Sequence, residues 1–185
     1  MNLHYETVSP LLKETLQKLV NSPIFKDFTL IGGTCLSLQL GHRRSIDIDL
    51  FTDIDYGTMN TKEMKEFIQR SFPYSENTDS LDTSALGYTL YMGDSPIDKI
   101  KVDFFYTEKF IFPIQEIDHI RIADIREIAA MKLSAITEEE PRQKDFWDIH
   151  ELNEKYSFKD MIDWGIKKER MECYRGRYIK WVSKK

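Results

Sequence analysis

The hydrophobic positions of the chain change period several times, and each change predicts an element. Leu12, Leu16, Leu19 and Val20 recur at helical spacing behind Ser9-Pro10, which has the form of an N-cap followed by a first-turn proline. Asn21-Ser22-Pro23 ends that helix. Phe28–Ile31 reads as a short strand running into Gly32-Gly33. Residues 34–40 read as a helix of two turns with Gly41 as its C-cap. A second strand follows, in which Ile46, Ile48 and Leu50 face a core and Asp47 and Asp49 point the other way. Asn60-Thr61-Lys62-Glu63 has the form of a capping box, with Met64, Phe67 and Ile68 as the apolar stripe of the helix it opens. Residues 73–84 are polar and read as a loop. Leu86–Met92 and Ile97–Tyr106 read as strands joined by the turn Gly93-Asp94-Ser95-Pro96. In the returning strand Ile100, Val102 and Phe104 face one way, and Lys101, Asp103 and Phe105 the other. Residues 110–122 add one or two short apolar segments, and from Asp124 the period is helical. The expected organisation is α+β: a mixed strand-and-helix core over residues 1–122 and a helical segment, 123–185, packed on it.

Composition narrows the function classes. With 41% hydrophobic and 12% aromatic residues, 185 residues sustain one domain, or one core with an appended piece. The N-terminus lacks a basic region followed by an apolar run, and no stretch approaches the ~20 apolar residues that span a bilayer, so no membrane role is expected. Cys35 and Cys173 have no metal-ligand spacing. Cys35 lies among apolar residues and reads as a buried thiol, which suits a reduced, cytoplasmic protein. The net charge of -5 argues against a generally basic nucleic-acid binder. Residues 167–185 nevertheless gather Lys167, Lys168, Arg170, Arg175, Arg177, Lys180, Lys184 and Lys185 against Glu169 and Glu172. Such an end either touches RNA locally or is a solvated helix with a frayed tail.

Several positions carry chemistry. Asp47 and Asp49 share a strand face, where their repulsion is offset by a cation, and oxygen-only ligation suits Mg²⁺ or Mn²⁺. The glycine pair opening a nearby helix offers backbone N–H groups and a positive dipole end to phosphate. Together these point to phosphoryl or nucleotidyl transfer. Asp103 sits on a strand with apolar neighbours behind it, as Asp47 and Asp49 do; Asp53, Asp55 and Asp98 are the competing acids. Lys132 falls within the apolar face formed by Ile125, Ile128, Ala129 and Ile136. It must snorkel, pair with a buried acid or reach into a site. On the next helix Asp145, Asp148, Ile149, Leu152 and Tyr156 share a face. The simplest arrangement is an ion pair that fixes Lys132 near the site, where a lysine meets phosphates as a point charge. Arg142 and Lys144 either add positive charge there or are exposed helix-end residues. The four histidines have no metal spacing, and Trp147, Trp164 and Trp181 read as packing residues. There is neither a GxSxG elbow nor a P-loop.

Gly32-Gly33-Thr34 followed by Asp47-Ile48-Asp49-Leu50 resembles the first motif of DNA polymerase β-type nucleotidyltransferases. The fuller form, Gly-Gly-Thr-x-Leu then Gly-His-Arg-x-Ser-x-Asp-Ile-Asp-Leu-Phe, is similar to the abortive-infection AbiEii/AbiGii toxin family. Met131-Lys132-Leu133-Ser134-Ala135, then Arg142-Gln143-Lys144-Asp145-Phe146-Trp147-Asp148, resembles that family's second signature. The resemblance covers residues 28–152 and leaves the two ends largely uncovered. It implies a polymerase β-type core, a small mixed sheet flanked by helices, with a helical C-terminal segment. It also implies a two-metal site in which Asp47 and Asp49 ligate both ions and Asp103 completes the second and helps activate the attacking hydroxyl. Gly32, Gly33 and Thr34 would hold the β- and γ-phosphates, and Lys132 would bind triphosphate, with Arg142 among the nucleotide-binding candidates. Asp145 would orient the lysine or contact the nucleotide, and Asp148 would support the helix pair. The implied activity is Mg²⁺- or Mn²⁺-dependent transfer of NMP from an NTP to an acceptor hydroxyl, first of all RNA or tRNA. The setting would be a toxin–antitoxin or phage-defence system with an antitoxin protein as partner. Many members carry a longer helical C-terminal region, which leaves acceptor recognition open here. A protein side chain or a small molecule is the alternative acceptor, the latter held by an acidic stretch of Asp79, Asp82, Asp94 and Asp98. A nucleotide-binding module without chemistry is the alternative of a different class.

Overall fold

Ser9 caps the first helix as the pattern predicts: its Oγ accepts the Leu12 N–H at 3.1 Å, Pro10 takes the first helical position, and α1 runs Pro10–Val20. The computed structural model of the chain describes residues 2–77, 86–136 and 142–168. Strand β1 (Thr29–Ile31) leads directly into α2 (Gly32–Leu40), which ends at Gly41 in the left-handed conformation that glycine adopts without strain. Then come β2 (Asp47–Thr52), α3 (Thr61–Ser71), β3 (Tyr74–Asn77), β4 (Gly87–Gly93), β5 (Lys99–Tyr106), β6 (Gln115–Ile117), β7 (Ile120–Ile122), α4 (Ile125–Ile136) and α5 (Gln143–Asn153). Residues 158–168 are again helical.

The strands form one seven-stranded mixed sheet in the order β3-β4-β5-β2-β1-β7-β6. β2 pairs with β5, and β1 with β7, in parallel; the other neighbours are antiparallel. In β2 and β5 the alternation is strict. Ile48, Leu50, Ile100, Val102 and Phe104 are buried on one side, and Asp47, Asp49, Lys101 and Asp103 take the other. Phe104 stacks on Phe25 at 5.4 Å and meets Phe28 and Tyr88 at 5.5 and 5.4 Å. Burying such a ring contributes about 1.5–3 kcal/mol. A one-residue slip of either strand would drive carboxylates into this aromatic cluster, so packing on one face sets the register of the acidic face.

Three expectations change. Ile46 is 71% exposed, because β2 begins at Asp47 and Ile46 precedes the alternation. Residues 74–77, read as loop, form the edge strand β3. An edge strand needs no apolar face, and this one is polar, with Glu76 paired to Lys99 at 2.7 Å. The returning strand starts at Lys99; Ile97 lies in an exposed turn closed by the Asp98 carbonyl, which accepts from the N–H groups of Asp94 and Ser95. Asp79 and Asp82 lie outside the described residues.

The chain divides into two compact units: Met1–Thr107 with Ile114–Ala123, which holds all seven strands, and Glu108–Pro113 with Asp124–Lys185, which holds α4, α5 and helix 158–168. Segment 108–113 belongs to the second unit because a buried acid binds its backbone. Glu127 Oε2 accepts from Ile111 and Phe112 N–H at 2.8 and 3.1 Å, and Oε1 pairs with Lys168 Nζ at 2.8 Å. Lys168 is itself fully buried, so it is no part of an exposed basic end; residues 169–185 lie outside the described ones. Trp164 packs edge-on against Phe112 and Tyr156 as expected. Trp147 does not pack: it is 56% exposed, because α5 turns Asp145, Asp148, Ile149 and Leu152 inward and residue 147 lies on the opposite side. Trp181 lies outside the described residues. Among the described residues no helix is long and apolar enough to cross a membrane.

Candidate active site

Two parallel strands bring the predicted carboxylates together. β2 and β5 are in register with Asp47 opposite Lys101 and Asp49 opposite Asp103. Directly paired residues point to the same face, so the four side chains form a patch on the polar side of the sheet. Lys101 Nζ lies 2.6 Å from Asp103 Oδ2, and Thr89 Oγ1, from the neighbouring β4, donates to Asp103 Oδ1 at 2.5 Å. Partial burial pulls the Lys101 ammonium down, but its hydrogen bond to Asp103 and the charges of Asp103, Asp47 and Asp49 outweigh that and hold it above the ordinary lysine range. One ammonium thus feels all three carboxylates.

The glycine turn lies against the same patch. Gly32 has φ +70°, and a Cβ there would fall 2.2 Å from Asp49 Oδ2. Only glycine permits both the backbone conformation and the close approach of the carboxylate. The residue read as a phosphate cradle therefore also seats Asp49. A Cβ on Gly33 would fall 2.6 Å from Arg43 Nη2, which places a guanidinium over the turn. Thr34 is buried; its hydroxyl meets Ser45 Oγ at 2.8 Å and donates to the Asp47 carbonyl, tying the first turn of α2 to the start of β2. Gly32→Ala is expected to cost about 1–3 kcal/mol of stability and to displace Asp49. Thermal melts and divalent-metal titration check this, and a variant unchanged in both would mean that the contact is soft.

Carboxylate oxygens on one face are the donor type that hard divalent cations take, and Asp47 and Asp49 fit that requirement. Asp103 in this arrangement is committed to Lys101 and Thr89, and among the described residues no three acidic, histidine or cysteine side chains converge closely enough to hold a metal ion. Asp98 sits in its turn, and Asp53 and Asp55 follow β2. Thr89, Lys101 and Arg43 are site residues that the sequence reading did not weigh. Lys101 had a visible signal, since it shares the alternating face of Asp103.

In the second unit Lys132 is 5% exposed, and its Nζ lies 2.5 Å from Asp145 Oδ1 and 2.8 Å from Asp148 Oδ2. Arg142 Nε adds a bond to Asp145 Oδ2 at 2.8 Å. Burial pushes the Asp145 carboxyl up, but hydrogen bonds from Arg142 and Lys132, with their charges, hold it below its ordinary value. The inward lysine and the two inward aspartates therefore meet as their helical faces predict, and Arg142 makes the charges balance.

Residues 14–177 match the family model described as nucleotidyl transferase AbiEii toxin, Type IV TA system. An uncharacterized protein of Aquifex aeolicus, aq_aa25, is 34% identical over 155 residues, 79% of this chain and 67% of its own. Among solved structures, JHP933 from Helicobacter pylori matches with a TM-score of 0.52 at 20% identity, over 78% of this chain; the chain spans only 64% of that protein. An antigenic nucleotidyltransferase-like protein from Paracoccidioides brasiliensis matches at 0.55 and 16% identity, over 86% of this chain and 87% of its own. The antibiotic-resistance factor ANT(2'')-Ia matches at 0.58 and 15%, over 93% and 96%. These structures show the polymerase β-type nucleotidyltransferase fold.

Proposed function

The chain belongs to the AbiEii nucleotidyl transferase toxin family, and on that premise we propose that it transfers a nucleoside monophosphate from an NTP to an acceptor hydroxyl, with RNA, and tRNA first among RNAs, as the acceptor. The acceptor oxygen forms a bond to the α-phosphorus, the bond from that phosphorus to the β-bridging oxygen breaks, pyrophosphate leaves, and the hydroxyl proton passes to a carboxylate or to solvent. The observation that carries this reading is the strand-pair face of Asp47, Asp49 and Asp103 set against the Gly32 turn.

In this reading Asp47 and Asp49 are the principal ligands of Mg²⁺ or Mn²⁺, with Asp103 as the third. The bound ions supply Lewis-acid neutralisation of triphosphate charge. The chain's own residues supply position. Gly32 seats Asp49, Thr34 fixes the start of β2, and the Gly33 N–H with Arg43 receives phosphate oxygens. Lys132, Arg142 and Asp145 are proposed as nucleotide-binding residues from the family resemblance. An antitoxin protein as partner and a cytoplasmic location are proposed on the same membership.

Label transfer tests the proposal: each α-labelled NTP with Mg²⁺ or Mn²⁺, offered total cellular RNA and protein extract. Label on RNA is expected. Label on protein would redirect the acceptor, and no label on either would overturn the RNA acceptor and leave a small-molecule acceptor or a nucleotide-binding module without chemistry. The RNA acceptor draws on the basic composition of residues 169–185. Their removal is expected to weaken RNA binding and flatten its salt dependence, and an unchanged salt slope would detach them from RNA. The cut belongs after Lys168, because an earlier one strips Glu127 of its buried partner.

A further inference from the structure

We propose that Lys101 is a built-in counter-ion of the carboxylate face, which holds Asp103 away from the divalent cation until the cation displaces it, so that Lys101 sets the metal affinity of the site. The inference rests on reading Asp47, Asp49 and Asp103 as metal ligands and adds a residue outside the ligand set.

The geometry is specific. Lys101 stands two residues before Asp103 on β5 and directly opposite Asp47 on β2, so its stem rises from the same face as all three carboxylates. Its Nζ takes Asp103 Oδ2 at 2.6 Å, while Thr89 takes the other oxygen, Oδ1, at 2.5 Å. Both Asp103 oxygens are thus engaged, one by a neutral hydroxyl and one by a full charge. Asp103 is partly buried, with 14% of its side chain exposed, whereas the Lys101 side chain is 36% exposed. The lysine is the more exposed of the two and, on its four-carbon stem, can swing out to solvent, whereas the short aspartate stays on the strand face. An ammonium and a divalent cation compete for the same oxygens, because an ammonium has no acceptor and contributes only repulsion once the ion arrives. Thr89 keeps Asp103 oriented in either state. Three carboxylates thus share one face on which one of them is already held by an ammonium.

The test compares Mn²⁺ binding to the full chain without nucleotide, by paramagnetic resonance or calorimetry, in wild type, Lys101→Met, Lys101→Gln and Lys101→Arg. Loss of the charge is expected to tighten Mn²⁺ binding about tenfold. Lys101→Arg is expected to stay near wild type, and the Lys101→Met gain to vanish in an Asp103→Asn background. In wild-type protein with nitrogen-labelled lysine, one ammonium resonance is expected to shift on adding Mg²⁺, and it is absent from the Lys101→Arg spectrum. That second measurement needs no destabilised variant. Equal or weaker Mn²⁺ binding in Lys101→Met and Lys101→Gln, or an ammonium resonance indifferent to Mg²⁺, overturns the counter-ion role and leaves the metal site standing. Wild-type protein that binds no Mn²⁺ overturns both.

Discussion

Asp47→Asn is expected to reduce nucleotidyl transfer by about 10³-fold or more, the scale of loss when a group acting directly on transition-state charge is removed. The fold should survive, because Asp47 projects from the face of β2 opposite Ile48 and Leu50 and its removal leaves the aromatic cluster under the sheet untouched. The amide relieves repulsion with Asp49 and gives up attraction to Lys101, opposing effects that should leave the melting temperature in chelator nearly unchanged while Mn²⁺ affinity falls. That separation of stability from metal affinity identifies a functional carboxylate, since a structural one would lose stability with activity. Retained transfer in a folded variant would remove Asp47 from the chemistry and, with it, the proposed two-metal reading.

That prediction was reachable from sequence because Asp47 and Asp49 fill the outward positions of a period-two pattern side by side, and a pattern is local. What lies across the sheet was not reachable in the same way. The pairing of Asp49 with Asp103 joins strands separated by α3 and the β3–β4 pair, and no spacing rule sets such a register. The contact of Gly32 with Asp49 depends on α2 returning the chain so that β2 lies antiparallel beside β1. Composition misled where burial decides. Lys168 sits in a run of basic residues, yet its charge is spent on Glu127 in the interior. Ile46 continues an alternation on paper but precedes the first ladder bond. Lys132 was legible for the opposite reason, since a lysine in an apolar stripe must snorkel, reach into a site or meet a buried acid, and the next helix offered two acids.

Lys132→Ala is expected to destabilise the helical unit by about 3–5 kcal/mol, the cost of leaving buried carboxylates without their partner. Asp145 keeps Arg142, but Asp148 is fully buried and loses the ammonium 2.8 Å from its Oδ2. A loss of that size is a large share of the about 5–15 kcal/mol that holds a domain together. Calorimetry should show a lowered transition. The sign of the pH dependence follows from Asp145, whose carboxyl is depressed in the folded chain. Its contribution is present above the unfolded carboxylate value and is lost as pH falls through the lower folded value, so wild-type protein should weaken only in that acid range. Replacing the buried charges should recover stability: Lys132→Met combined with Asp145→Asn and Asp148→Leu removes all three together and leaves only Arg142, whose side chain is exposed to solvent. If Lys132→Ala melts like wild type yet loses NTP affinity, the ion pairs are dispensable and the lysine acts on nucleotide. If it melts low and the triple variant recovers both stability and NTP affinity, Lys132 is a structural cation, and the family signature that contains it marks a helix pair locked by charge.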